Sequence, residues 1–317
     1  MAGDPDRRAS NRADRVRLGD HSVNVVHGDH VATLNGLKAW FSVRGTGPTC
    51  LFPTPGWGAS ADLYVETLEP FECLFTMVYL ETRGSGRSAR QLSDPEYRID
   101  EFLSDLDELR KLMGEPSVWI MGHSLGGLVA QMFAAEYPSS CRGLVLLDSS
   151  SAIDEEARAD ADLRISRRGQ EPWFAAAYAA IKREDDIVSD DEFKDHFAAI
   201  LPFYFHDVGK YDPDRFANET FAIDAAMMME VNSEAFARGA LDRLAGLSLP
   251  SVIITGDDDF ICSFSQAIRI HMRLKASKLV VIERAGHFPW LEQPETFFTQ
   301  VEIALRHVGA FADRVTV

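Results

Sequence analysis

The chain has 317 residues, 46% of them hydrophobic, with 49 acidic against 32 Lys and Arg side chains and a net charge of −17. This composition suits a soluble protein with a sizeable core, and the negative charge excludes nucleic acid, whose phosphates would be repelled, as an expected partner. Cys50, Cys73, Cys141 and Cys262 lack metal-ligand spacing and three lie in or beside apolar runs, so free buried thiols and no metal are expected. No apolar stretch approaches membrane-span length, and the Arg-, Asp- and Ala-rich start lacks the apolar core of a signal peptide. Residues 1–20 read as a flexible tail on a cytoplasmic protein with no membrane partner.

In chain order, residues 30–34 and 37–43 are strand-like runs separated by Asn35-Gly36, a hairpin turn signal. Residues 49–53 form a brief apolar strand that enters the loop Pro55-Gly56-Trp57-Gly58. Residues 74–80 are a further strand, followed by the loop Thr82-Arg83-Gly84-Ser85-Gly86-Arg87-Ser88. Residues 99–113 carry Phe102, Leu103, Leu106, Leu109 and Leu112 at helical spacing with acids on the other face, an amphipathic helix. A buried strand at 117–121, a helix at 125–136 and a buried strand at 143–147 follow. Strands alternating with helices predict an α/β fold with a mostly parallel sheet flanked by helices. The alternation stops near Ser151, and residues 151–246 are helical in character and studded with aromatics. Strands at 252–255 and 279–282, with a helix at 264–274 between them, resume the pattern, and a helix at 294–311 ends it. A helical insertion therefore divides one core formed by residues 21–150 and 247–317.

Between the strand at 117–121 and its helix lies Gly122-His123-Ser124-Leu125-Gly126, a match to the G-x-S-x-G nucleophile elbow. The turn exposes a serine oxygen at the top of a sheet, and the glycines spare it steric crowding. A serine hydroxyl needs a base, and the base needs an orienting group. Chain order in such hydrolases is Ser, acid, His. His271 and His307 fall within amphipathic helices, whereas His287 follows a buried strand in a loop, which makes it the candidate base. The acid is expected from Gly256-Asp257-Asp258-Asp259, where spacing does not choose among the three aspartates, and Asp148 at a strand end is a further candidate. Oxyanion donors are expected at the N–H of Leu125, at a helix start, and at the N–H of Trp57.

With these parts in this order, the chain resembles the α/β-hydrolase superfamily. Glu81-Thr82-Arg83-Gly84-Ser85-Gly86-Arg87-Ser88, Gly256-Asp257-Asp258-Asp259-Phe260-Ile261-Cys262 and Gly286-His287-Phe288-Pro289-Trp290 are similar to its proline iminopeptidase-like branch. The resemblance implies Asp259 as the acid, three residues after its glycine, a helical cap domain at 151–246 and no cofactor. Two departures stand out. The branch has His-Gly-Gly-Pro-Gly where this chain has Pro53-Thr54-Pro55-Gly56-Trp57-Gly58, and Glu81 replaces an aspartate. The altered oxyanion loop favours an ester or lactone over the amide of an aminopeptidase, with a small-molecule substrate in either case. Trp57, His123, Trp173, Phe203, Tyr204 and Met228 are the expected substrate contacts, forming an apolar pocket. Glu219, Glu230 and Glu234 are the carboxylates that could hold a substrate ammonium.

Overall fold

In a sheet covered on both faces, successive side chains of each strand enter opposite cores. The computed structural model, which describes residues 26–55, 58–183, 187–217 and 219–311, obeys this alternation. Its strands are β1 (Gly28–Leu34), β2 (Leu37–Gly45), β3 (Thr49–Pro53), β4 (Thr76–Glu81), β5 (Val118–Ser124), β6 (Cys141–Ser149), β7 (Ser251–Gly256) and β8 (Ser277–Ile282). They form one sheet in the order β1-β2-β4-β3-β5-β6-β7-β8. β2 is antiparallel to both β1 and β4, and the remaining pairings are parallel.

The first helices are α1 (Asp62–Thr67), α2 (Ile99–Leu112) and α3 (Leu125–Glu136). Between β6 and β7 come α4 (Glu155–Arg167), α5 (Phe174–Ile181), α6 (Asp190–Ile200), α7 (Pro213–Ala217), α8 (Asp224–Val231), α9 (Ser233–Arg238) and α10 (Leu241–Leu244). Last are α11 (Phe264–Arg273), α12 (Pro289–Glu292) and α13 (Pro294–His307). Trp119 and Met121 of β5, Val145 and Leu147 of β6, and Val252 and Ile254 of β7 share one core with Tyr64 of α1 and Phe297, Val301 and Leu305 of α13. Their neighbours Ile120, Leu144, Leu146 and Ile253 face the other core, with Leu106 of α2, Leu128 of α3 and Ile270 of α11. No helix among the described residues is long and apolar enough to cross a membrane.

Most strands run a few residues longer than the sequence expectation, and two boundaries are cut short for a local reason. β4 starts at Thr76, not residue 74, because Glu69–Cys73 form a 3₁₀ turn that the Leu74 N–H closes onto the Phe71 carbonyl at 2.9 Å. α13 stops at His307, since Gly309 adopts φ +73°, although Ala310 beyond it remains buried.

The inserted helices are bolted to the core through Asn232, which is 4% exposed. Its Oδ1 accepts from the N–H of Ile99 at 2.6 Å, a donor that the first turn of α2 leaves without an intrahelical partner. Its Nδ2 donates to the carbonyls of Tyr97 at 2.6 Å and Met228 at 2.8 Å. Asn232→Ala strands these buried groups, and urea unfolding should show a loss of about 2 kcal/mol.

Candidate active site

β5 runs directly into α3 through Ser124, which is held at φ 55° and ψ −125°. Only a glycine fits two residues earlier: a Cβ on Gly122 would stand 2.3 Å from the carbonyl oxygen of Gly126. Leu125 opens α3, so its N–H lacks an intrahelical acceptor and lies beside the serine. Trp57, expected as the second oxyanion donor and a substrate contact, lies outside the described residues, as does Gly56. Of that loop, Thr54 is tied by its N–H to the Leu80 carbonyl, and Gly58 accepts from the N–H of Gly86.

The tertiary structure separates the three aspartates after β7 by what each faces. Asp257 is exposed and accepts from the Ala285 N–H at 3.3 Å. Asp258 turns to the inserted segment, where it pairs with Arg168 and with His206 Nδ1. Asp259 is fully buried, and its Oδ2 lies 2.7 Å from His287 Nδ1. Its Oδ1 accepts from the N–H groups of Ile261 and Cys262 at 2.9 and 3.1 Å. The bond to Asp259 places a hydrogen on Nδ1 of His287, which leaves Nε2 as an acceptor when the ring is neutral.

His287 is fixed at its backbone as well. Its N–H donates to the Tyr204 carbonyl at 2.7 Å. Its carbonyl accepts from Nε2 of His123 at 2.9 Å, while Nδ1 of His123 meets the Tyr64 hydroxyl at 2.9 Å. Burial, reinforced by the neighbouring His287, drives the pKa of His123 well below its ordinary value. The ring is therefore neutral, with Nε2 donating to His287 and Nδ1 accepting from Tyr64. His123, expected as a substrate contact, is 2% exposed with both nitrogens occupied, so the structure makes it a brace under His287.

Ser124 Oγ lies 3.9 Å from Sγ of Cys262, which is itself 3.1 Å from Ser150 Oγ. Ligand-type atoms of Asp259, Cys262 and His287 lie within 4.8 Å of one another, the one such group among the described residues. Both Asp259 oxygens already accept hydrogen bonds, and burial together with Asp259 pushes the Cys262 thiol well above the range in which it ionises. The group is wired as a hydrogen-bond chain.

Of the expected contacts from the inserted segment, Tyr204 packs edge-on to His287 at 5.3 Å and to Phe260 at 4.8 Å between ring centroids. Phe203 bridges Trp173 at 4.9 Å and Phe260 at 5.8 Å. Trp173 also lines a cleft of about 400 Å³ with Arg168, Glu171, His206 and Arg284. Met228 is buried in the other core, among Phe236, Ala240 and the α2 leucines, on the opposite side of the sheet from Phe203 and Tyr204. Sequence reasoning missed Glu292. Its buried carboxylate accepts from the N–H groups of Gly286, His206 and Asp207, tying the His287 loop to the inserted segment. The available signal was a lone acid in the otherwise apolar run Pro289-Trp290-Leu291. Tyr64 carried no such signal.

A serine on a strand-to-helix elbow, with a paired histidine and acid on the loops after two neighbouring parallel strands of the same sheet, defines a class of hydrolase scaffold. A family model described as the alpha/beta hydrolase fold matches residues 54–294, and the chain belongs to that family. It is 22% identical over 309 residues to the proline iminopeptidase of Saccharolobus solfataricus, covering 90% of this chain and 94% of that one. It is 27% identical over 246 residues to a pimeloyl-[acyl-carrier protein] methyl ester esterase of Neisseria meningitidis, covering 76% of this chain and 87% of the relative. A proline iminopeptidase-related protein from Thermus thermophilus superposes with a TM-score of 0.70 at 18% identity, over 90% of this chain and all of the other.

One acid of the inserted segment sits against the stretch between β3 and α1. Glu219, 4% exposed, accepts from Ser60 Oγ at 2.8 Å and from the Leu63 N–H at 2.6 Å, at the start of α1. Burial outweighs these donors and raises its pKa from 4.5 to about 7. Between those values the folded state binds more protons than the unfolded one, so stability contributed here falls as pH rises through the window. Glu219→Gln mimics the protonated form. Thermal unfolding should show the variant matching the wild type near pH 5 and gaining on the order of 2 kcal/mol over it by pH 7.5.

Proposed function

We propose that this chain is a serine hydrolase that cleaves a carboxylic ester or lactone of an apolar substrate through an acyl-enzyme. Ser124 is the nucleophile, His287 the general base and Asp259 the residue that orients it. The buried 2.7 Å contact between Asp259 Oδ2 and His287 Nδ1 carries the reading, because it leaves Nε2 to accept a proton. In this reading Ser124 Oγ, which lies 3.9 Å from Cys262 Sγ, turns to His287 Nε2 when substrate binds, as catalytic hydrogen bonds tighten only in the substrate complex. The hydroxyl then attacks the carbonyl carbon as its proton passes to His287. The resulting oxyanion is met by the N–H of Leu125 and that of Trp57. Collapse of the tetrahedral intermediate expels the alcohol, which takes the proton from His287, and water deacylates Ser124 by the same route in reverse.

Residues 151–246 act in this reading as a helical cap, with Phe203 and Tyr204 as its apolar wall beside His287. An ester is favoured over a peptide amine for a physical reason. An aminopeptidase must offer a free carboxylate to the substrate ammonium, whereas both oxygens of Glu219 are engaged and Glu230 and Glu234 are exposed at the surface. The esterase among the relatives supports the bond type.

Kinetics with p-nitrophenyl butyrate and proline p-nitroanilide should give kcat/KM strongly in favour of the ester, with Ser124→Ala as the blank. A preference for the anilide would mean that the cap recognises an amino terminus. On the preferred substrate, Asp259→Asn should lower kcat by about a thousandfold or more. Asp257→Asn and Asp258→Asn should stay within a few-fold of wild type, and the reverse order would move the acid role to another aspartate.

A further inference from the structure

A second buried carboxyl stands behind Asp259, and the mechanism above does not use it. Asp148, at the end of β6, is completely buried. Along the β5–β6 pairing His123 is opposite Leu147 and Ser124 is opposite Ser149, so Asp148 is the extra residue of a β-bulge. It is held at φ +40°, a left-handed conformation that a non-glycine residue adopts at a cost. Bulges of this kind re-aim a side chain. Here the carboxyl is turned across to the acid loop, where Oδ1 accepts from the Gly256 N–H at 2.7 Å and the group meets the carboxyl of Asp259. Its Oδ2 has no hydrogen-bond partner when the carboxyl is taken as an acceptor alone.

Two touching carboxyls in a dry pocket do not both ionise. The donors decide which of them holds the charge. Asp259 receives two backbone N–H groups and the imidazole N–H. Asp148 receives one N–H, and the other titratable groups around it are the carboxylate of Glu292 and the thiol of Cys262, neither of which favours a second negative charge. A proton on the Oδ2 of Asp148 turns that stranded acceptor into a donor aimed at Asp259. We infer that Asp148 is a positioning residue, a neutral carboxylic acid that donates a hydrogen bond to Asp259 and holds its carboxylate in line with His287. Burial and the adjacent Asp259 both raise the pKa of Asp148, in agreement. The inference rests on the proposed roles of Asp259 and His287.

The test combines two variants with a measurement on the unaltered enzyme. Asp148→Ala removes the donor and should lower kcat roughly tenfold to a hundredfold with little change in KM. Asp148→Asn replaces a neutral donor–acceptor with another and should recover most of that loss, and its acid limb of kcat/KM against pH should coincide with that of the wild type. Were Asp148 ionised, the same change would remove a negative charge beside the imidazolium and move that limb about one unit or more to lower pH, overturning the inference. In wild-type enzyme carrying ¹³C-carboxyl aspartate, infrared spectroscopy at pH 7 should show the carbonyl stretch of a protonated carboxyl. Absence of that band overturns the inference whether or not the variants fold. If Asp148→Asn abolishes turnover while Asp259→Asn retains it, then the assignment of Asp259 has failed, a result distinct from failure of the positioning role alone.

Discussion

Buried carboxyl groups that accept backbone N–H groups hold this site together. A carboxyl group removed from water, charged or neutral, is tolerated only where hydrogen-bond partners replace its hydration. Asp259 takes Ile261 and Cys262, Asp148 takes Gly256, Glu292 takes Gly286, His206 and Asp207, and Glu219 takes Leu63. Glu81 follows the same rule, accepting from the N–H of Ala61 at 3.0 Å and from Arg87, whose guanidinium lies 3.5 Å over the Trp40 ring. Asp148, Glu292, Glu219 and Glu81 each tie segments distant in sequence, whereas Asp259 takes its N–H donors from its own loop and reaches His287 through its other oxygen.

The consequence for His287 is preorganisation. A loop histidine would ordinarily sample many orientations. This one has its Nδ1 on Asp259, its N–H on Tyr204 and its carbonyl on His123. The elbow adds a partner under steric compulsion, since Gly122 and Gly126 approach too closely for any side chain at 122. On the proposed mechanism, a base held in place before substrate arrives needs no reordering at the moment of reaction, and only the Ser124 hydroxyl has to turn; such preorganisation supplies much of the rate enhancement in many enzymes.

The inserted helices are attached by polar and aromatic contacts of different character. Arg90 pairs with Asp190 and Asp224, Arg168 with Asp258, and Asn232 with the start of α2. On the sheet side, Phe205, Phe216 and Phe288 form a continuous aromatic wall with Tyr204. Salt screens the exposed ion pairs among these ties, whereas the aromatic wall is insensitive to it.

Much of this was legible along the chain. Alternating apolar strands and amphipathic helices imply a parallel sheet through local periodicity alone, and the order of Gly122-His123-Ser124-Leu125-Gly126, the aspartate run and His287 points to the groups proposed here as nucleophile, acid and base. Strand limits slipped where a 3₁₀ turn at Glu69–Cys73 competed for the same apolar residues. Spacing could not tell neighbouring residues of identical type apart, and only the family resemblance chose Asp259, because Asp257, Asp258 and Asp259 differ only in what the fold sets opposite them. For the same reason His123 read as a substrate contact and is buried with both ring nitrogens hydrogen-bonded, Met228 read as pocket and belongs to a different hydrophobic cluster from Phe203 and Tyr204, and Glu292 was not read at all. Periodicity and motif order are properties of residues close in sequence, so the sequence by itself determined the scaffold and the kinds of group it carries. Burial and donor supply arise only where distant segments meet, so the tertiary structure alone decided which carboxyl faces the imidazole and which stands behind it.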